Sequence, residues 1–116
     1  MTEELLDAAR GLTRIPGALG ALIVDAEAGV PVASDLADGV PETALAALTG
    51  SLFRGIADAT ATTGKGRPRL LQLEAAGGHL VVAGAGPLLV AVLASPSAQL
   101  GLVRARTVRV AEDLTP

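Results

Sequence analysis

The residues of this chain that could do chemistry are few and scattered. Gly64-Lys65-Gly66 sets a lysine between glycines, a composition that can cradle phosphate through backbone N–H groups and an ammonium. A Walker loop also needs Ser or Thr after the lysine, to hold the metal ion, and a glycine five positions before the second one. Gly66 and Ala59 stand at those places, and the segment follows a helical run instead of a strand. It reads as a solvated basic loop. Gly84-Ala85-Gly86 lacks the third glycine of a dinucleotide fingerprint and lies between two apolar runs, so it reads as a turn. His79 is the only histidine in a chain without cysteine, which leaves no set of ligands for a metal and makes it an ordinary residue at the start of a strand. Ser34, Asp35 and Glu27 lack the base and orienting group that a nucleophile requires. Arg104, Arg106 and Arg109 could meet an acidic partner or lipid headgroups, but Glu112 and Asp113 follow closely and a solvated helix face is the simpler reading. The expectation is a protein that is not an enzyme and carries no cofactor or metal.

Composition narrows the alternatives. At 116 residues the sequence predicts one domain, 1–116, able to bury a core without metal or disulfide staples. Half of it is apolar, 18% is charged and Phe53 is the only aromatic residue, so Ala, Val, Leu and Ile must build the core. A chain this poor in polar surface predicts a subunit interface. The net charge of −3 gives no footprint for nucleic acid. The acidic start Thr2-Glu3-Glu4 is unlike a secretory signal, and with the lack of cysteine it predicts a cytoplasmic location. From Ala75 to Val103 there is no charged residue, long enough to cross a bilayer, but Gly84 to Pro87 divides it into two strand-like pieces. A buried hairpin is expected there, not membrane insertion.

Several elements follow from patterning. Thr2 can cap a helix whose apolar stripe is Leu5, Leu6, Ala9, Leu12 and Ile15, ending before Pro16-Gly17. Ala18 to Asp25 is nearly unbroken in apolar character, as in a strand covered on both faces, and Ala26 to Gly29 turns it into a strand from Val30 to Ser34. A second helix opens at Pro41-Glu42 and stops at Gly64. Its Leu45, Leu48, Leu52 and Ile56 stripe is expected to face the sheet. The neighbouring stripe of Ala46, Gly50, Phe53 and Ala57, mostly small, is expected to receive another helix. Arg69 to Glu74 reads as an edge strand, His79 to Ala83 and Leu88 to Ala94 as a hairpin, and Ser95-Pro96 as the start of a last helix. Leu100, Val103, Thr107, Val110 and Leu114 form the apolar seam of that helix. The fold class is α/β (α+β), a five-stranded, mainly antiparallel sheet with helices on both faces in the order α-β-β-α-β-β-β-α.

That order, with Ile15-Pro-Gly-Ala-Leu-Gly-Ala-Leu-Ile-Val-Asp25, the Gly29 turn before Val32-Ala-Ser34, and Leu80-Val-Val-Ala-Gly-Ala-Gly-Pro-Leu-Leu-Val-Ala-Val-Leu93, resembles the roadblock/dynein light chain family. The likeness runs from about Leu5 to Leu114 and looks like the MglB-like bacterial branch, whose members regulate Ras-like small GTPases of the MglA type. The resemblance implies a homodimer joined through second helices and third strands, which places Ala46, Gly50, Phe53 and Ala57 near the dimer axis and Leu71 to Leu73 on the joined edge. It also implies a helical platform for one GTPase, here Ser51, Arg54, Asp58 and Thr62, that accelerates hydrolysis by repositioning the GTPase's own switch elements. A homodimeric scaffold for a kinase or other signalling protein is the alternative. A small-ligand sensor is a third class, disfavoured by the scarcity of aromatic residues for pocket walls.

Overall fold

The computed structural model describes residues 2–115, and the side chain of Thr2, expected to cap the first helix, lies outside what it describes. The elements are α1 (Thr2–Thr13), β1 (Ala18–Asp25), β2 (Pro31–Leu36), α2 (Glu42–Thr62), β3 (Leu70–Ala75), β4 (Gly78–Ala85), β5 (Leu88–Ala94) and α3 (Leu100–Leu114). All neighbouring strands run antiparallel, in the spatial order β2-β1-β5-β4-β3. The expected class and element order are therefore observed.

Strand alternation divides the core in two. On one face Ala21, Ile23, Val81, Val90 and Val92 pack against Leu5, Ala9 and Leu12 of α1 and Val103 and Ala111 of α3. On the other, Leu22, Val24, Val82 and Leu89 lie under Ala46 and Phe53 of α2. Because β1, β5 and β4 are covered on both sides, their sequences read as unbroken apolar runs.

The turns explain most of the polar punctuation. Asp25 Oδ1 accepts the N–H groups of Glu27 (3.0 Å) and Ala28 (2.8 Å), which fixes the β1–β2 turn. At the end of α2, Gly64 adopts φ +73° while its N–H donates to Ala61 O (3.1 Å) and that of Lys65 to Thr60 O (2.7 Å). This pair of bonds is a Schellman cap. Gly64-Lys65 thus stops a helix and is not a phosphate loop.

Three expectations need correcting. β4 continues through Gly84 and Ala85, leaving Gly86-Pro87 alone as the turn, with Gly86 at φ +62°. Gly84 is a packing residue, since a Cβ there would stand 3.3 Å from Phe53 Cζ. The Ser95-Pro96 helix start is also displaced. Ser95 donates its N–H to Gly17 O (2.8 Å) and accepts that of Ala98 (3.1 Å), so this segment closes a turn tied to the sheet and α3 begins at Leu100.

The third correction concerns the faces of α2. Its buried residues are Ala46, Thr49, Gly50 and Phe53, whereas Leu48 is 62% exposed and Leu45, Leu52 and Ile56 are half-buried. The stripe expected to meet another subunit is the one that meets this chain's own sheet. Ala46, Gly50 and Phe53 are buried in the core of the single chain, which leaves them little surface to offer a second copy. The cause is volume. Leucines and valines of the sheet already fill the layer, so the helix must be small where it touches, and a Cβ on Gly50 would approach Gly29 Cα to 3.0 Å. Phe53 fills the one gap left over Gly84. Phe53→Ala is accordingly expected to cost about 3–5 kcal/mol of fold stability, read as a lower urea midpoint.

Candidate functional site

With its small residues turned inward, α2 presents its leucines sideways. Leu45 and Leu52 pack at the margin of the core together with Leu71 of β3 and Leu93 of β5. Leu73, Leu80 and Leu93 stand opposite one another across β3, β4 and β5, and Leu73 at the rim is 48% exposed. One flank of α2 and the part of the sheet face beside it thus form an apolar shelf that ends at an open edge.

The two sheet edges differ in how well they resist pairing. β2 begins with Pro31, carries Asp35 and shifts register between Ile23 and Val24 of its neighbour. Those are devices that blunt an edge. β3 pairs with β4 in unbroken register from Leu70↔Ala83 to Ala75↔Gly78, and its first four residues, Leu70-Leu-Gln-Leu73, contain neither charge nor proline. The expected edge strand is observed, and Leu71 and Leu73 both lie on it.

The candidate platform residues fall on a different part of the helix. Ser51, Arg54, Asp58 and Thr62 are all exposed. Two are locally engaged. Thr62 donates its hydroxyl to Asp58 O (2.8 Å), and Arg54 Nη1 donates to Ala26 O (2.9 Å) and Glu27 O (3.1 Å). Arg54 therefore clamps the β1–β2 turn to the helix, a role invisible in periodicity. Ala57 is half-buried on the flank opposite the leucines.

Groups weighed earlier for catalysis serve as tethers. Thr13 Oγ1 donates to Asp35 Oδ2 at 2.6 Å, joining α1 to β2, and the Ser34 hydroxyl donates to the Glu42 carboxylate at the start of α2. His79 is buried on β4, with Nδ1 lacking a partner among the described residues. Arg109 pairs with Asp113 at 3.5 Å and Arg104 Nη1 donates to Gln72 Oε1 at 3.3 Å, both at the surface. Among the described residues there is no cluster of three or more His, Cys, Asp or Glu that could hold a metal, and no helix is long and apolar enough to cross a membrane.

The described residues thus form an antiparallel sheet sandwiched by helices, with an apolar shelf that ends at an open edge. The chain belongs to the Roadblock/LC7 domain family, whose model matches residues 3–94. Its fold is shared with MglB of Myxococcus xanthus, at a TM-score of 0.90 and 22% identity over 98% of this chain and 86% of that one. The gliding protein MglB of Thermus thermophilus aligns at 0.86 and 24%, over 97% and 87% of the two chains. A Roadblock/LC7 domain from Streptomyces avermitilis aligns at 0.85 and 23%, over 95% and 93%. No curated protein sequence matches the chain.

The Arg54 clamp gives a test within the protomer. Removing both guanidinium–carbonyl bonds should loosen the turn by about 1 kcal/mol. Arg54→Ala is expected to speed amide exchange at Ala28 and Gly29 about fivefold, by the same energy, with exchange in β5 unchanged.

Proposed function

We propose that this protein is a homodimeric regulator or adaptor of a Ras-like small GTPase, of the kind the MglB-like resemblance implies. The observation that carries the reading is that Leu45 and Leu52 of α2 and Leu71 of β3 pack at the rim of one core cluster, with Leu73 exposed on an unblunted β3 edge. An apolar shelf ending at unpaired strand amides is complementary to its own copy turned about a two-fold axis. Leucines then meet leucines and β3 meets β3, and the sheet continues through the dimer. Leu71 and Leu73 keep their proposed place at this junction. Leu45, Leu48, Leu52 and Ile56 replace the small residues as the helix contribution, and Ala57 drops out because it lies on the opposite flank.

Joining two copies this way leaves the outer surface of each α2 free. Ser51, Asp58 and Thr62 would then form, in duplicate, the platform on which a GTPase rests, with Arg54 at its margin. Each side chain appears twice around the axis, and an asymmetric partner can use the two copies differently. In this reading any effect on hydrolysis acts through the GTPase's own switch elements.

Two experiments test the two halves. Leu48→Glu combined with Leu73→Glu sets like charges against an apolar partner and is expected to raise the dimer dissociation constant by more than about tenfold in sedimentation equilibrium. A wild-type chain that sediments as a monomer at micromolar concentration contradicts the dimer. For the partner, immobilised protein is expected to retain an MglA-type GTPase loaded with a GTP analogue and to lose it on Asp58→Lys, with the dimer intact. Equal retention of the GDP form would favour a scaffold over a state-dependent regulator.

A further inference from the structure

On the flank of α2 opposite the leucines lies a groove of about 880 Å³. Three connections meet there: the β1–β2 turn, the β4–β5 turn and the loop leading into β3. Phe53, Ala57, Ala61 and Pro87 give it apolar walls, and Arg54 and Arg67 reach it from separate elements. Phe53, the chain's only aromatic residue, is thus placed in the wall of this groove.

The two guanidinium groups are held but not neutralised. Arg54 uses Nη1 on the turn carbonyls, and Arg67 uses Nη2 on Gly86 O at 3.0 Å. A guanidinium carries five N–H donors in a fixed fork, so each arginine keeps Nε and its other Nη without a partner among the described residues. Neither forms an ion pair; the only one among the described residues is between Arg109 and Asp113. Two carboxylates, Asp25 and Glu27, also line the groove, and they differ in availability. Asp25 Oδ1 is engaged by the turn amides, while Glu27 is exposed and free of any ion pair. Pinned, unpaired arginines at an apolar groove suit an anionic head on a hydrocarbon body.

The geometry points to this groove as a binding site for a small amphipathic carboxylate, its head on Arg54 and Arg67 and its chain along Ala57, Ala61 and Pro87. The site is independent of the leucine shelf and remains open when that flank is covered. Loss of dimerisation would therefore leave it standing.

The test is a titration of the ¹⁵N-labelled full chain with sodium octanoate, with 1-octanol as the uncharged comparator. Octanoate should give saturable shifts at the amides of Ala26 to Ala28, Ala57, Arg67 and Gly86, and octanol should bind at least about tenfold more weakly, the loss expected for a charge-assisted contact. Arg67→Gln should weaken octanoate by a similar factor, and Glu27→Gln should tighten it by removing the opposing charge. Should Arg67→Gln lose its dispersed spectrum, Ala61→Asp at an exposed wall position takes its place, with weakening expected again. Equal binding of octanol, shifts centred on Leu48 and Leu73, or no saturation by 10 mM, roughly the weak limit of such affinities, would each overturn the assignment.

Discussion

The space between the sheet and α2 is the constraint on which the remaining architecture depends. The sheet fills it from below with Leu22, Val24, Val82 and Leu89, all nearly inaccessible to solvent. A close-packed layer has one volume to fill, so what the sheet supplies the helix must omit. Ala46, Thr49 and Gly50 therefore turn inward, with Phe53 as the one large exception over the space that Gly84 leaves. The leucines of α2 are displaced to its flank by the same requirement. A helix docked on its leucines would stand farther from the sheet and break the close approach of Gly50 to Gly29. The exposed leucines follow from good packing and are not a flaw in it.

The same arrangement separates the surfaces of the molecule. On one flank of α2 the leucines and the bare β3 edge make an apolar surface suited to a second copy. Along the outer face run Ser51, Asp58 and Thr62, polar and solvated. On the other flank Arg54 and Arg67 anchor turns while keeping donors available. Three faces of one helix thus carry three different surface chemistries, and the sheet sets their orientation through the residues that touch it.

Much of the fold was legible in the sequence because its signals are local. β1 and β5 match their expected bounds, since a strand buried on both faces leaves an uninterrupted apolar run between turn residues. Gly64 marked the helix stop through its backbone conformation. Legibility ended where the answer required a partner element. Both stripes of α2 have helical spacing, and nothing within the helix says which one the sheet accepts. Gly84 resembled a turn because its packing role belongs to Phe53, a residue 31 positions earlier. Ser95 resembled a cap, but a bond to Gly17 holds it against the sheet. The groove is built from four separated segments and the clamp by Arg54 joins a helix to a distant turn, so neither leaves a mark in any short window of sequence.

We propose that the leucine flank and the β3 edge, not the small-residue stripe, form the surface at which two copies meet. Because the chain lacks cysteine, single-cysteine oxidation is the most direct measurement. Leu48→Cys and Leu73→Cys should give disulfide-linked dimers rapidly under mild oxidation, whereas Val30→Cys, exposed beside the β1–β2 turn that Arg54 holds on the other flank of α2, should remain monomeric on a denaturing gel. A dimer in solution whose chains couple through Val30→Cys and not through Leu48→Cys or Leu73→Cys would contradict the account.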